Sequence, residues 1–79
     1  MNPDYDRFPI LQAFGFAHLP PHLAAISEPF FALAHKVARD APDTLFAGAE
    51  TATALRKLLE AKDAAVRAAL DAPKTTEAP

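Results

Sequence analysis

The sequence has no cysteine, no tryptophan, two glycines and a single serine, Ser27. Without cysteine there is no disulfide framework and no thiolate ligand for a metal ion. The chain also has no glycine-rich phosphate loop, and one serine offers little material for nucleophilic catalysis. The sequence therefore argues against an enzyme.

Basic residues and long apolar runs are also scarce. The formal net charge of −2 argues against a surface for DNA or RNA polymers, which would need a basic face. No apolar run reaches the roughly 18–20 residues that span a bilayer, and residues 1–6 lack the basic region of a secretory signal. We expect a cytoplasmic protein with no membrane partner. A small anion stays compatible, because arginines of several subunits can meet at a symmetry axis.

Apolar residues recur at helical spacing in two segments, which predicts an all-α fold. The first helix is expected over about 21–40, beginning after Pro20, and the second over about 49–70. The inner stripe of the first helix is expected to contain Leu23, Ile26, Phe30, Leu33 and Val37. That of the second is expected to contain Ala52, Leu55, Leu59, Lys62, Val66 and Ala69. In the connection, residues 41–48, Leu45 and Phe46 are apolar enough to pack back on the helices.

Pro29 lies inside the first helix, where it removes the hydrogen bond to the carbonyl of Ala25. We expect either a kink near residues 25–29 or a short helix that restarts at Ser27.

A short connection makes the two helices antiparallel neighbours, so the predicted fold is a kinked antiparallel two-helix hairpin. Residues 1–13 are expected to form a mobile N-terminal arm, residues 14–70 the hairpin domain, and residues 71–79 a disordered tail. A core this small rarely supplies more than about 3–5 kcal/mol, so we expect a homo-oligomeric helical bundle. The second stripe of each helix is the predicted subunit interface: Phe31, Ala34, Ala38, Leu58, Ala61, Ala65 and Ala68.

Histidines do not predict a metal site in this chain. His18 and His22 have i,i+4 spacing, but two prolines separate them and no acidic neighbour completes a ligand set. His35 is expected on a solvated face of the first helix. We therefore predict no metal and no cofactor.

Three flat side chains, Phe14, Phe16 and His18, alternate just before the first helix. They either stack on a nucleobase or cover the open end of the hairpin. Late in the second helix, Arg67 is either a phosphate clamp or a surface arginine paired with Asp63 or Asp71. Lys62 falls on the apolar stripe, where it must reach solvent, pair with a carboxylate or meet a bound anion.

Three segments together resemble a family of small phage proteins. They are FGFAHLPP at residues 14–21, ISEPFFALAHKV at residues 26–37 and ETATALRKLLEAKDAAVRAAL at residues 50–70. The chain resembles the anti-CBASS cyclic-oligonucleotide sponges and the related helical hairpin of Thoeris anti-defence proteins, over about residues 14–70.

The resemblance implies a homohexamer of kinked hairpins that sequesters cyclic di- or trinucleotide immune signals between subunits without cleaving them. It further implies that Arg67 contacts phosphate, that Phe16 stacks on a base, with His18 or Phe14 as further matches, and that Ser27 supplies a hydroxyl. A structural or protein-interaction module without a small ligand is the alternative from a different functional class.

Overall fold

A computed structural model describes the backbone of residues 3–75 and the side chains of residues 4–70. Helix α1 spans Pro3–Arg7 and is followed by a 3-10 helix at Pro9–Phe14. Helix α2 spans Pro21–Asp40, and helix α3 spans Leu45–Thr75. No strand occurs within residues 3–75, and the fold is all-α as predicted.

Helix α2 has the bounds that the sequence predicted. Pro20 occupies the N-cap position and Pro21 the first turn, where a missing N–H leaves no helical hydrogen bond unmade. Pro29 lies inside the helix. Because α2 runs without interruption from Pro21 to Asp40, the alternative of a restart at Ser27 was wrong.

Helix α3 begins four residues before its predicted start. The side chain of Thr44 accepts a hydrogen bond from the amide of Ala47 (3.1 Å), and its carbonyl accepts one from Gly48 (2.9 Å). This threonine caps the helix, so the connection is only residues 41–44. The helix also continues to Thr75, beyond the predicted end at Leu70. Residues 76–79 of the predicted tail lie outside the described residues.

The expected mobile N-terminal arm is helical and supplies much of the core. Phe8, Leu11 and Phe14 are buried and form one cluster with Leu55 of α3. The 3-10 helix contacts α1, α2 and α3. The prediction failed because short helices started by prolines carry no apolar 3.6-residue period.

Arg7 ties this N-terminal segment to the connection between the long helices. Its guanidinium donates to the carbonyls of Ala41 (3.2 Å) and Pro42 (2.6 Å). It also lies 4.9 Å from the centroid of the Phe8 ring, within cation–π range. One side chain thus provides hydrogen-bond donors for two backbone carbonyls in the connection just after α2.

The inner stripe of α3 was predicted correctly. Leu55 is fully buried, and the other five members of the stripe are partly buried. The inner stripe of α2 was correct only in part: Leu23 is buried and Phe30 and Val37 pack against the core, but Ile26 and Leu33 are exposed. Ala34 and Ala38, assigned above to a subunit interface, are buried in the core cluster instead.

The reason is that the N-terminal segment competes for the same surface. Ala34 and Ala38 belong to the same buried cluster as Phe8, Leu11 and Phe14. Small side chains on α2 leave room for these larger ones. The larger Ile26 and Leu33 are therefore turned outward.

Candidate functional site

Two of the predicted site residues are closed to solvent within the single chain. Phe14 and Ser27 have no accessible surface. Phe14 belongs to the core cluster. Its ring therefore stabilises the fold and is not accessible for stacking on a base. Ser27 packs on the buried face of α2.

The Ser27 hydroxyl has no hydrogen-bond partner among the described residues. Burying an unpaired hydroxyl costs free energy, on the order of 1–3 kcal/mol from protein mutational data. The desolvation of the Ser27 hydroxyl is therefore not offset by a hydrogen bond within the described residues.

Phe16 is partly buried and has a defined partner. Its ring meets that of Phe31 edge to face, with 5.2 Å between centroids and an interplanar angle of 78°. This T-shaped geometry is favourable for aromatic pairs. His18, two residues further on, is exposed. Phe16 is therefore partly accessible and fixed in orientation, as a stacking residue must be.

Lys62 pairs with a carboxylate, one of the three outcomes expected from its sequence position. Its ammonium lies 3.1 Å from an Asp63 carboxylate oxygen, and its side chain is 12% exposed. Arg67, about one turn further along α3, is exposed. The described contacts join none of the six predicted site residues directly to another as ion pair, hydrogen bond or ring pair.

An aromatic row that the sequence did not reveal runs from α1 onto α2. The rings of Phe31 and His35 are 4.1 Å apart, and those of His35 and Tyr5 are 5.4 Å apart. His35 Nδ1 lies 2.9 Å from the Phe31 carbonyl, and Nε2 lies 3.1 Å from the Tyr5 hydroxyl. His35 is partly buried, so its predicted solvated position was wrong.

The carbonyl of Phe31 defines the tautomer of the neutral ring, because a carbonyl can only accept. Nδ1 then carries the hydrogen, and Nε2 accepts one from the Tyr5 hydroxyl. No local pattern could have indicated this pair, since thirty residues separate Tyr5 from His35.

A cleft of about 500 Å³ lies where the N-terminal segment meets the start of α3. We call it the connection cleft. It is lined by Arg7, Phe8, Asp43, Thr44, Leu45, Gly48, Ala49 and Ala52. Its volume is in the range of small-molecule pockets. The lining is mainly apolar, with one cation and one carboxylate.

Beside this cleft, two large apolar side chains point into solvent. Leu45 is 94% exposed and Phe46 is 76% exposed. The prediction that they pack back on the helices was wrong, because Thr44 starts α3 early and carries both residues on its first turn. Phe8 and Ala52 already contribute to the core there.

Within the described residues, no cluster of three or more histidine, cysteine or acidic side chains could hold a metal ion. None of the described helices combines the length and the apolar character needed to cross a membrane. Comparison with protein-family models, with curated proteins and with solved structures gave no match for this chain.

Proposed function

We propose that this protein is a non-catalytic anti-defence protein of phage origin, a homo-oligomer of helical hairpins that acts in the cytoplasm of an infected bacterium. It binds cyclic di- or trinucleotide immune signals between its subunits and withholds them from the host. The sequence resemblance over residues 14–70 is the reason for proposing a cyclic nucleotide as the ligand. The exposed apolar surface of α2 is the observation that supports a homo-oligomer.

That surface is centred on Ile26 and Leu33 and is flanked by Phe30 and Val37, which also pack against the core. We call these four residues the α2 stripe. Leu33 is 49% exposed and Ile26 is 36% exposed, whereas Phe30 and Val37 are partly buried. The described fold measures only 14 Å across its thinnest dimension. A chain this thin has no second layer to cover the stripe, and a second copy supplies one.

The ligand, in this proposal, lies at the end of the hairpin opposite the connection. Helix α2 is 20 residues long including Pro21, and an antiparallel α3 that starts at Leu45 would need about as many residues to return to the same level. That level would be near residues 64–67, and the proposal therefore assigns Arg67 to the same end as the start of α2. Phe16 and His18 precede that start directly.

The exposed Arg67 and the partly accessible Phe16 each suit one part of a cyclic nucleotide. The guanidinium of Arg67 matches phosphate oxygens in a bidentate contact, and the ring of Phe16 offers a face to a base. Phe14 and Ser27 are assigned to the core instead, and Lys62 to its pair with Asp63. Sequestration needs only tight binding, which agrees with the scarcity of catalytic side chains.

A thermal-shift panel of cyclic di- and trinucleotides and cyclic ADP-ribose variants tests this function. A ligand that binds only the folded state raises the melting temperature. Arg67→Ala should abolish that rise while the assembly, measured by native mass spectrometry, stays intact. Arg56→Ala is the matched control, an exposed arginine on the same helix, and it should keep the rise. A panel that moves no melting temperature would contradict the ligand.

The alternative is a protein-interaction module without a small ligand, and the exposed pair Leu45 and Phe46 favours it. Under that alternative, the panel has no effect and native mass spectrometry detects no retained nucleotide. The two functions therefore differ in a single measurement on the unmodified protein.

A further inference from the structure

We propose that the connection cleft is a self-association site, in which Phe46 of one copy enters the cleft of a second copy across a two-fold axis. The inference refines the homo-oligomer of the proposed function by naming one of its interfaces. It does not depend on any nucleotide ligand.

The first argument is that one wall of the cleft, formed by Leu45, is almost fully exposed to solvent. Leu45 lines it but is 94% exposed, so most of that side chain has no apolar neighbour. A side chain entering the cleft from outside would cover Leu45 and the small residues Gly48 and Ala49 together. The volume of about 500 Å³ has room for a phenyl ring.

The second argument is that each copy carries both halves of the contact side by side. Phe46 follows Leu45 directly in the first turn of α3, next to the cleft rather than inside it. A two-fold axis pairs a surface patch with itself, so a projection beside a recess is self-complementary. The same rotation that fills one cleft fills the other.

The third argument is charge. Arg7 and Asp43 both line the cleft, and both are exposed. A two-fold axis that passes between them would set Arg7 of one copy opposite the partner's Asp43 and give two favourable pairs around an apolar centre. The guanidinium has five N–H donors, and only two of them bond the carbonyls of Ala41 and Pro42. A partner of different sequence would have to reproduce this arrangement, whereas a second copy contains it already.

The size of the contact sets its strength. An aromatic side chain buries about 150–250 Å², so two copies of Phe46 and Leu45 remove several hundred Å² from water. This is less than the roughly 1,200–2,000 Å² of stable interfaces. The contact should therefore dissociate on dilution unless the α2 stripe reinforces it.

Mass measurement of variants tests the interface. Phe46→Lys should lower the mass of the assembly to half in sedimentation or light-scattering experiments, and circular dichroism should be unchanged because the side chain is exposed. Ala54→Lys adds the same charge at another exposed position of α3 and should leave the mass unchanged. Equal masses for Phe46→Lys and the unmodified protein would overturn the proposal.

A second pair of variants tests the charges. Asp43→Lys sets a cation opposite the partner's Arg7 and should also lower the mass, whereas Glu60→Lys, with the same charge change elsewhere on the surface, should not. A photo-reactive benzophenone in place of the Phe46 ring should give covalent dimers joined to the peptide that contains Phe8. Cross-links confined to one chain would contradict the two-fold contact.

These outcomes separate the interface from the function. If Phe46→Lys leaves the mass unchanged while nucleotides still raise the melting temperature, this interface is wrong and the sponge function stands. If the mass is halved but no nucleotide has an effect, the interface stands and the ligand is wrong.

Discussion

Among the side chains of residues 4–70, the hydroxyl of Ser27 is the single polar group that is both buried and without a hydrogen-bond partner. Replacing it with hydrogen removes the cost of its desolvation and leaves the packing of α2 almost unchanged. We expect Ser27→Ala to raise the free energy of unfolding by up to about 1 kcal/mol, measured by urea denaturation. A loss of about 1 kcal/mol or more would show that the hydroxyl has a partner, such as a buried water.

Lys36 and Asp40 form an exposed ion pair with 2.6 Å between nitrogen and oxygen. The hydrogen bond and charge of Lys36 lower the pKa of Asp40 below its ordinary value of 3.8. A carboxylate at the C-terminal end of a helix is otherwise disfavoured by the helix dipole. Lys36 therefore offsets a local repulsion at the end of α2.

Because the pKa of Asp40 is lowered by folding, the pair stabilises the fold above the unfolded pKa. Its contribution is lost as the pH falls through the folded value. We expect Lys36→Gln to raise the pKa of Asp40 towards 3.8, followed by NMR of the carboxyl carbon. Lys57→Gln, another exposed lysine, should not change that pKa. An unchanged pKa in Lys36→Gln would contradict the assignment of its cause.

At the scale of elements, the N-terminal segment is a structural part of the fold. Leu11 of the 3-10 helix has no accessible surface, and its cluster includes residues of both long helices. Leu11→Ala should lower the free energy of unfolding by about 2–5 kcal/mol, because the remaining cavity cannot fully collapse.

Gln12→Ala is the matched control, since Gln12 lies next in the chain but is exposed. We expect its effect to stay within about 0.5 kcal/mol. Equal effects of both variants, measured by thermal or urea unfolding, would mean that the segment does not pack on the helices in solution.

The sequence predicted the elements that carry a long apolar period. Helix α2 and the inner stripe of α3 follow directly from spacing, and Pro20 marks the start of α2. The stripe of α2 was assigned correctly only at Leu23, Phe30 and Val37. Two sides of that helix are apolar, and spacing does not say which side the chain covers. The N-terminal segment determines which side of α2 is buried, because it packs on Ala34 and Ala38. This segment was not predicted, because its short helices have no apolar 3.6-residue period.

The candidate site was predictable only in part, for the same reason. The exposure of His18 and Arg67 follows from their position on their own turn or helix, and both are exposed in the structure. Phe14 and Ser27 depend on what packs over them, which involves residues distant in sequence. The connection cleft joins Arg7 to residues more than thirty positions away, so no local motif could indicate it.

At the scale of the whole molecule, the chain presents two separate exposed apolar surfaces, and we propose that both mediate self-association. One is the α2 stripe and the other is the connection cleft with Phe46. A hexamer with three-fold and two-fold axes contains at least two kinds of subunit contact. A hexamer with both kinds of axis therefore needs two distinct surfaces such as these, whereas a single surface would close as a dimer or as a cyclic ring.

This division predicts the products of disassembly. With the cleft as the two-fold contact and the α2 stripe as the three-fold contact, Phe46→Lys should leave trimers, and Leu33→Lys should leave dimers that dissociate to monomers on dilution, because the cleft contact alone is small. The double variant should be a monomer with a melting temperature that no longer depends on protein concentration, since dissociation then no longer accompanies unfolding. Native mass spectrometry distinguishes these species directly. A monomer from Phe46→Lys alone would mean that the two surfaces belong to one continuous interface, because trimers held by the α2 stripe should survive that substitution.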